Sequence, residues 1–300
     1  LLPFQIGKLV YAFPVLPESF YHQIFIYLSD ILICFLLLLW GLRLFRSIQE
    51  RQNFYYALKA DFVLILVILF SGASIFVAGD GYLSAFHFLK LFEFVLLYFY
   101  IRQNFKYIDT GKLVCVVIAS ALVQVFIADA QFNFQKDVGL KYLGESPLSI
   151  IMDGVAKINE DGFKLIRPYG TFPHPNIFAA FLIFALFLTY FAILKNASRI
   201  GQNKAKSVIG QAKYVIEVGL LFLLSLGLML TFSRSAIAIF SISSLMFFAT
   251  LIFSKTIIIE KIKVVRIFIV TILIFISLGF VFRNEIIFRT SNILSDQSVS

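Results

Sequence analysis

Eight stretches of about 18 or more mostly apolar residues recur along this 300-residue chain, and most are separated by short basic clusters. An apolar run of that length matches the roughly 30 Å hydrocarbon core of a bilayer when it is helical. A chain built this way has too little polar surface to cover itself in water. Its composition agrees: 60% of residues are hydrophobic and 14% charged, whereas a soluble domain carries about a quarter charged residues. The expected fold class is all-α, a polytopic transmembrane helical bundle of about eight spans with an outer loop segment. The spans are expected at 23–43, 60–78, 83–101, 113–130, 177–194, 214–231, 235–253 and 264–282.

Orientation follows from the positions of lysine and arginine, which accumulate in cytoplasmic loops. Sixteen of the 26 fall in the loops around 43–59, 102–112, 195–213 and 255–266. Nine lie on the opposite side, and Lys90 lies within a span. The richer side is expected to be cytoplasmic, which turns both ends of the segment away from the cytoplasm. Lys213, Arg234 and Lys255 are spaced 21 residues apart, about 31 Å of helix. That spacing makes 214–231 and 235–253 a hairpin with Arg234 at its outer tip. The net charge of +9 is accounted for by this asymmetry. No basic stripe interleaved with aromatics marks a nucleic-acid partner. Cys34 and Cys115 each lie inside an apolar run and are expected to be small core residues, not a disulfide or metal site.

The chain organises as an interfacial approach segment (1–22), four transmembrane helices (23–130), a periplasmic loop (131–176), four further helices (177–282) and the start of a large periplasmic loop (283–300). It begins at Leu1 and stops in a polar run, so it is expected to be a segment of a longer protein. No internal repeat, P-loop, dinucleotide fingerprint or nucleophile elbow occurs.

Two outer-face motifs carry the chemistry. The first is Arg167-Pro168-Tyr169-Gly170-Thr171-Phe172-Pro173-His174-Pro175-Asn176. Its prolines and glycine dictate a turning path, and Pro175 suits the first turn of the next helix. The second is Thr231-Phe232-Ser233-Arg234-Ser235-Ala236, where Ser233 is expected to cap the following helix. Each motif puts an arginine beside a helix N-terminus on the same side of the membrane. Backbone N–H groups and the helix dipole favour anions there, and a guanidinium forks to phosphate oxygens. Two such ends suit a diphosphate. The plainer alternative is that Arg167 and Arg234 snorkel to lipid headgroups.

The two motifs resemble those of the O-antigen ligase and O-antigen polymerase superfamily of bacterial envelope enzymes. The family shows an arginine, a glycine and a Pro-Asn pair entering a span, here Arg167, Gly170, Pro175 and Asn176. It also shows a Ser-Arg-small motif opening a later span, here Ser233, Arg234 and Ser235. The resemblance covers roughly 20–300. It implies glycosyl transfer at the periplasmic face of the bacterial inner membrane, from an undecaprenyl-diphosphate-linked glycan donor to a lipid or glycan acceptor. The donor diphosphate would be held by Arg167 and Arg234 and stabilised as it leaves. No cofactor or metal is implied, and His22, His87 and His174 lie far apart in sequence. The family's ligases use a histidine of a later periplasmic loop as candidate base. Residues 283–300 contain none, so the base is expected beyond Ser300. A polymerase or a protein O-oligosaccharyltransferase of the same superfamily shares the donor chemistry. A non-enzymatic lipid or sugar transporter is the alternative of a different class.

Other polar residues have plainer readings. His174 is expected to cap a turn, and Asn176 to tie down the helix start. Asp30, Lys90, Glu93 and Glu217 fall in apolar runs, where charges are costly and turn towards a bundle interior or cavity. Lys90 and Glu93 are three residues apart and can pair on one helix face, with His87 three further back. A role near the lipid carrier is the sharper alternative for this group. Glu217 is close enough to the span's edge to reach the interface.

Overall fold

The computed structural model describes residues 6–12, 23–160, 163–197, 208–254 and 261–283. Most of the approach segment and residues 284–300 lie outside these, as do Arg199, Lys204, Lys206, Lys255 and Arg289 of the charge pattern. The chain divides into two compact units between Asp109 and Thr110.

The first unit starts with a hairpin, not with a helix. Strand β1 (Gly7–Ala12) pairs antiparallel with β2 (Gln23–Tyr27). Apolar, aromatic and β-branched residues at 24–27 suit a strand, so helix α1 (Leu28–Arg46) begins five residues later than the span expected from hydropathy. The junction is pinned locally. Leu28 N–H donates to the Ile6 carbonyl at 2.8 Å, and Tyr27 N–H donates to Asp30 Oδ2 at 2.8 Å.

The expected loop after the first span is helix α2 (Ile48–Ala60). Its polar composition conceals a helix whose start is capped by Ser47, which accepts from Glu50 N–H. It turns by 77° into α3 (Phe62–Ser74). The elbow is Asp61, whose carboxylate pairs with Arg102 of α4 (Gly81–Asn104) and accepts from Tyr98 Oη at 2.9 Å. The span expected at 60–78 is thereby corrected to a 13-residue helix, about 20 Å long and short of a full crossing by itself. Trp40, Ala57, Val95 and Phe99 form the unit's core. The Trp40 indole N–H donates to Gln103 Oε1 at 2.9 Å, which satisfies its one polar atom.

The second unit holds α5 (Thr110–Phe134), α6 (Pro175–Ala197), α7 (Val208–Leu230), α8 (Arg234–Phe253) and α9 (Lys261–Val281). Between α5 and α6 runs a loop with a second hairpin, β3 (Lys157–Glu160) against β4 (Phe163–Ile166). Ala121, Val125, Ala128, Ala179, Leu182, Ala185, Leu224 and Leu228 build one continuous core. In lipid the hydrophobic effect does not hold helices together, so close fit between small residues does. Gly227 shows how close that fit is. A Cβ added there would stand 2.4 Å from Val125 Cγ2 and 3.2 Å from Leu182 Cδ1. Gly227→Ala is therefore expected to wedge α7 away from α5 and α6 at a cost of about 1–3 kcal/mol. Equilibrium unfolding in detergent reads this directly, and a midpoint equal to wild type would show that the helices yield freely.

Seven helices, α1 and α4 to α9, are long and apolar enough to cross a membrane, and the bent pair α2–α3 makes an eighth if it is one crossing. The protein is a multi-pass membrane protein. Against the all-α expectation, two short hairpins accompany the helical bundle among the described residues.

Candidate functional site

The loop from α5 to α6 is held by side chains that reach up from α5. Gln124 and Gln131 lie two turns apart on one face of that helix, and both are fully buried. Gln131 uses all four of its bonding positions, with its amide orientation assigned from these partners. Its Oε1 accepts from Tyr169 N–H at 2.9 Å and Gly170 N–H at 2.8 Å. Its Nε2 donates to the Gly170 carbonyl and to Glu145 Oε1, both at 2.8 Å. Glu145 is itself 5% exposed and also accepts from Val138 N–H and Leu140 N–H. A buried carboxylate needs this many donors to offset its desolvation. Gln124 repeats the pattern one step along the loop. It accepts from Thr171 N–H at 2.8 Å and donates to Thr171 Oγ1 at 2.9 Å.

Gly170 is the residue this arrangement requires. Its φ is +60°, a region that costs other residues energy. A Cβ there would stand 2.5 Å from Gln124 Oε1. The loop is closed further back by Gln135, whose Oε1 accepts from Ile166 N–H at 2.7 Å, and by Tyr169, whose Oη accepts from Ala156 N–H at 2.8 Å.

Held in this way, Arg167 points into the protein and is 4% exposed. Its Nε donates to the Thr231 carbonyl at 2.8 Å, and its Nη2 donates to Asn176 Oδ1 at 2.8 Å. One guanidinium thus joins the α7–α8 turn to the first turn of α6, across 64 residues of chain. Arg167 does not reach for lipid headgroups. Asn176 serves as its acceptor, and Asn176 N–H donates to His174 Nδ1 at 3.1 Å. His174 is the N-cap of α6: its carbonyl accepts from Phe178 N–H at 3.1 Å, and Pro175 opens the helix. With Nδ1 accepting, the neutral imidazole carries its proton on Nε2.

The α7–α8 turn is strained. Phe232 has φ +48°, rare for a bulky residue. Its ring is fixed against Phe132 at 5.6 Å and Phe282 at 5.8 Å. The Phe232 conformation sets the turn that presents the Thr231 carbonyl to Arg167. Ser233 occupies the N-cap position of α8, as expected, but its hydroxyl makes no capping bond. Instead Ser233 Oγ lies 3.4 Å from Ser235 Oγ, a correction to the capping role. Ser233 is buried, whereas Arg234 and Ser235 are exposed at the first turn of α8. Arg234 follows by three residues the carbonyl that Arg167 holds. Two helix N-termini and two arginine motifs therefore meet at one end of the unit. That assembly offers positive dipole ends and the exposed Arg234 cation to an anion.

The intramembrane charges form a separate group in the first unit. The Lys90 ammonium pairs with Asp30 of α1 and stands 3.5 Å from Glu93 Oε2 on its own helix. Their role there is to tie α1 to α4. His87 does not join them; it is exposed, with its ring 5.7 Å from that of Phe86. Glu217 pairs with Lys213 at 3.8 Å. Among the described residues no group of three or more His, Cys, Asp or Glu side chains is placed to hold a metal ion.

Gln124, Gln131 and Glu145 escaped the sequence reading. Gln124 and Gln131 stand seven residues apart in α5, which also carries Lys112, Ser120, Asp129 and Asn133, and form no motif by themselves. Compared with family models, with curated proteins and with solved structures, the chain gives no match.

Proposed function

We propose that this protein is an O-antigen ligase-like glycosyltransferase of the bacterial inner membrane. It moves a glycan from undecaprenyl diphosphate to an acceptor hydroxyl at the periplasmic face. The observation that carries the reading is the Arg167 guanidinium, bonded at once to Thr231 and Asn176. It joins the two motifs that the family resemblance singles out. In the reaction the bond between the sugar C1 and the diphosphate oxygen breaks, and its electron pair leaves with the diphosphate. The acceptor oxygen forms the new bond to C1 and gives up its proton to a base. Arg234, exposed at the head of α8, meets the growing negative charge with the α8 dipole behind it. Arg167 is buried and orients the two helix ends, so its contribution comes through position as well as charge.

The test compares wild-type, Arg234→Ala and Arg234→Lys proteins reconstituted with a lipid-linked oligosaccharide and lipid A-core. Arg234→Ala is expected to lower transfer about a hundredfold, the scale of losing one donor to a developing oxyanion, while the protein stays folded. Lysine restores charge without the fork and is expected to fall between. Undiminished transfer in both variants rejects the reading. Glycan chains lengthened by repeat units, with no acceptor modified, would instead identify a polymerase. Passage of the lipid-linked glycan across the vesicle without transfer would identify a transporter.

A further inference from the structure

We propose that the second unit binds one anionic phospholipid in a groove between α6, α7 and α9, at the ends of these helices that carry the basic loops. This inference is independent of the glycosyl-transfer reading.

The groove is shallow and open on one side. Its floor is apolar: Ile193 of α6, Val218 and Leu221 of α7, Ile267 and Val270 of α9. The lining residues of α7 and of α9 repeat at three or four residues, so one face of each of these two helices lines it, and α6 contributes Ile193. At its mouth stand Tyr214, Glu217 and Arg266. The Arg266 guanidinium lies flat on the Tyr214 ring, 3.6 Å from its centre. Stacking of this kind fixes the plane of the guanidinium and leaves its N–H edge pointing away from the ring. Among the described residues, no acceptor takes a hydrogen bond from Arg266 and no carboxylate lies within ion-pair distance of it. Glu217, also in the lining, pairs with Lys213 at 3.8 Å and acts on Arg266 electrostatically from beyond ion-pair distance. Lys213, Glu217 and Arg266 together leave one positive charge at the mouth.

Depth agrees with a lipid occupant. Arg266 is five residues into α9, about 8 Å along the axis from its first residue. It lies near the basic end of the apolar helix Lys261–Val281. A fork of unused donors, one net positive charge and an apolar trough leading inward match a phosphodiester with a hydrocarbon chain. Basic pockets between membrane helices recognise anionic headgroups in this way. A zwitterionic lipid offers the same phosphate but adds an ammonium that the net positive mouth disfavours.

The experiment is native mass spectrometry of the purified full chain in detergent, titrated separately with phosphatidylglycerol and phosphatidylcholine. One phosphatidylglycerol is expected to remain bound to the wild type, with phosphatidylcholine at least severalfold weaker. Arg266→Gln is expected to weaken retention about fivefold, the effect of one cation near an anionic lipid. Arg51→Gln, which removes an exposed cation of the first unit, is expected to change nothing. A melting curve without lipid checks that Arg266→Gln is folded, and Tyr214→Leu, which removes the stack but keeps the charge, serves as a second variant. Equal retention by wild type and both groove variants would overturn the proposal. So would equal binding of the two lipids, or displacement of phosphatidylglycerol by millimolar inorganic phosphate, which would mark a site for a soluble anion.

Discussion

Gln131→Leu is expected to release the loop between α5 and α6 while the helices around it stay in place. Leucine fills much of the same volume but leaves Tyr169 N–H, Gly170 N–H and the Gly170 carbonyl without their partner, and takes one donor from Glu145. An unsatisfied buried polar group costs about 1–3 kcal/mol, and relaxation of the loop limits the sum. A loss on the order of 4 kcal/mol is the expected result. Hydrogen exchange locates the damage. Amides 167–171 are expected to lose protection, while those of α6 and α7 around Leu182 and Leu224 keep theirs. Unchanged protection at Tyr169 and Gly170 would mean that Gln131 does not hold the loop. On the proposed function, glycan transfer should fall with loop order, because Arg167 stands at the end of the segment that Gln131 restrains.

Arg167→Lys is expected to cost nearly as much, for a different reason. A lysine ammonium keeps the charge, but a single point charge on a flexible stem does not hold the Thr231 carbonyl and Asn176 Oδ1 in fixed directions. Hydrogen bonds from a charged donor are worth about 1.5–3 kcal/mol each. Losing one and loosening the other is expected to lower stability by about 3 kcal/mol. The strained Phe232 turn is then free to relax, since a backbone outlier persists only where its surroundings impose it. Unfolding midpoints in detergent measure the loss. The comparison with Arg234→Ala is the informative one: on the proposed function Arg167→Lys should lower stability and transfer together, whereas Arg234→Ala should lower transfer in a protein that stays folded. A fully stable Arg167→Lys protein would show that the guanidinium is not a tie between α6 and the α7–α8 turn.

The long helices were legible because hydropathy is a local property and bilayer thickness sets a length that any 18-residue window can meet. Helices α4 to α9 extend over the expected spans to within a few residues at most ends. Where polar residues build structure, hydropathy is silent. Helix α2 is polar along much of its length and is held by a serine cap and an aspartate elbow, so it read as a loop. The β1–β2 hairpin was hidden because its second strand is as apolar as the helix that follows. Within the site, the arginines, Gly170, Pro175 and Asn176 were visible as a motif. The glutamines beneath them were not, because an amide in an apolar run has no distinctive neighbours in sequence.

By itself the sequence determined that this chain belongs in a membrane, where its long helices run, how its charge is distributed between their ends and which two motifs stand at helix starts. Each of these is read from runs, charges and motifs along the chain and needs no contact between distant residues. Only the tertiary structure decided that Arg167 turns inward to Thr231, that Phe232 is strained to receive it, and that Gln124 and Gln131 clasp the loop. Those bonds join groups 39 to 64 residues apart. Their directions follow from how whole helices pack, because a buried donor must find its acceptor wherever the fold brings one within about 3 Å.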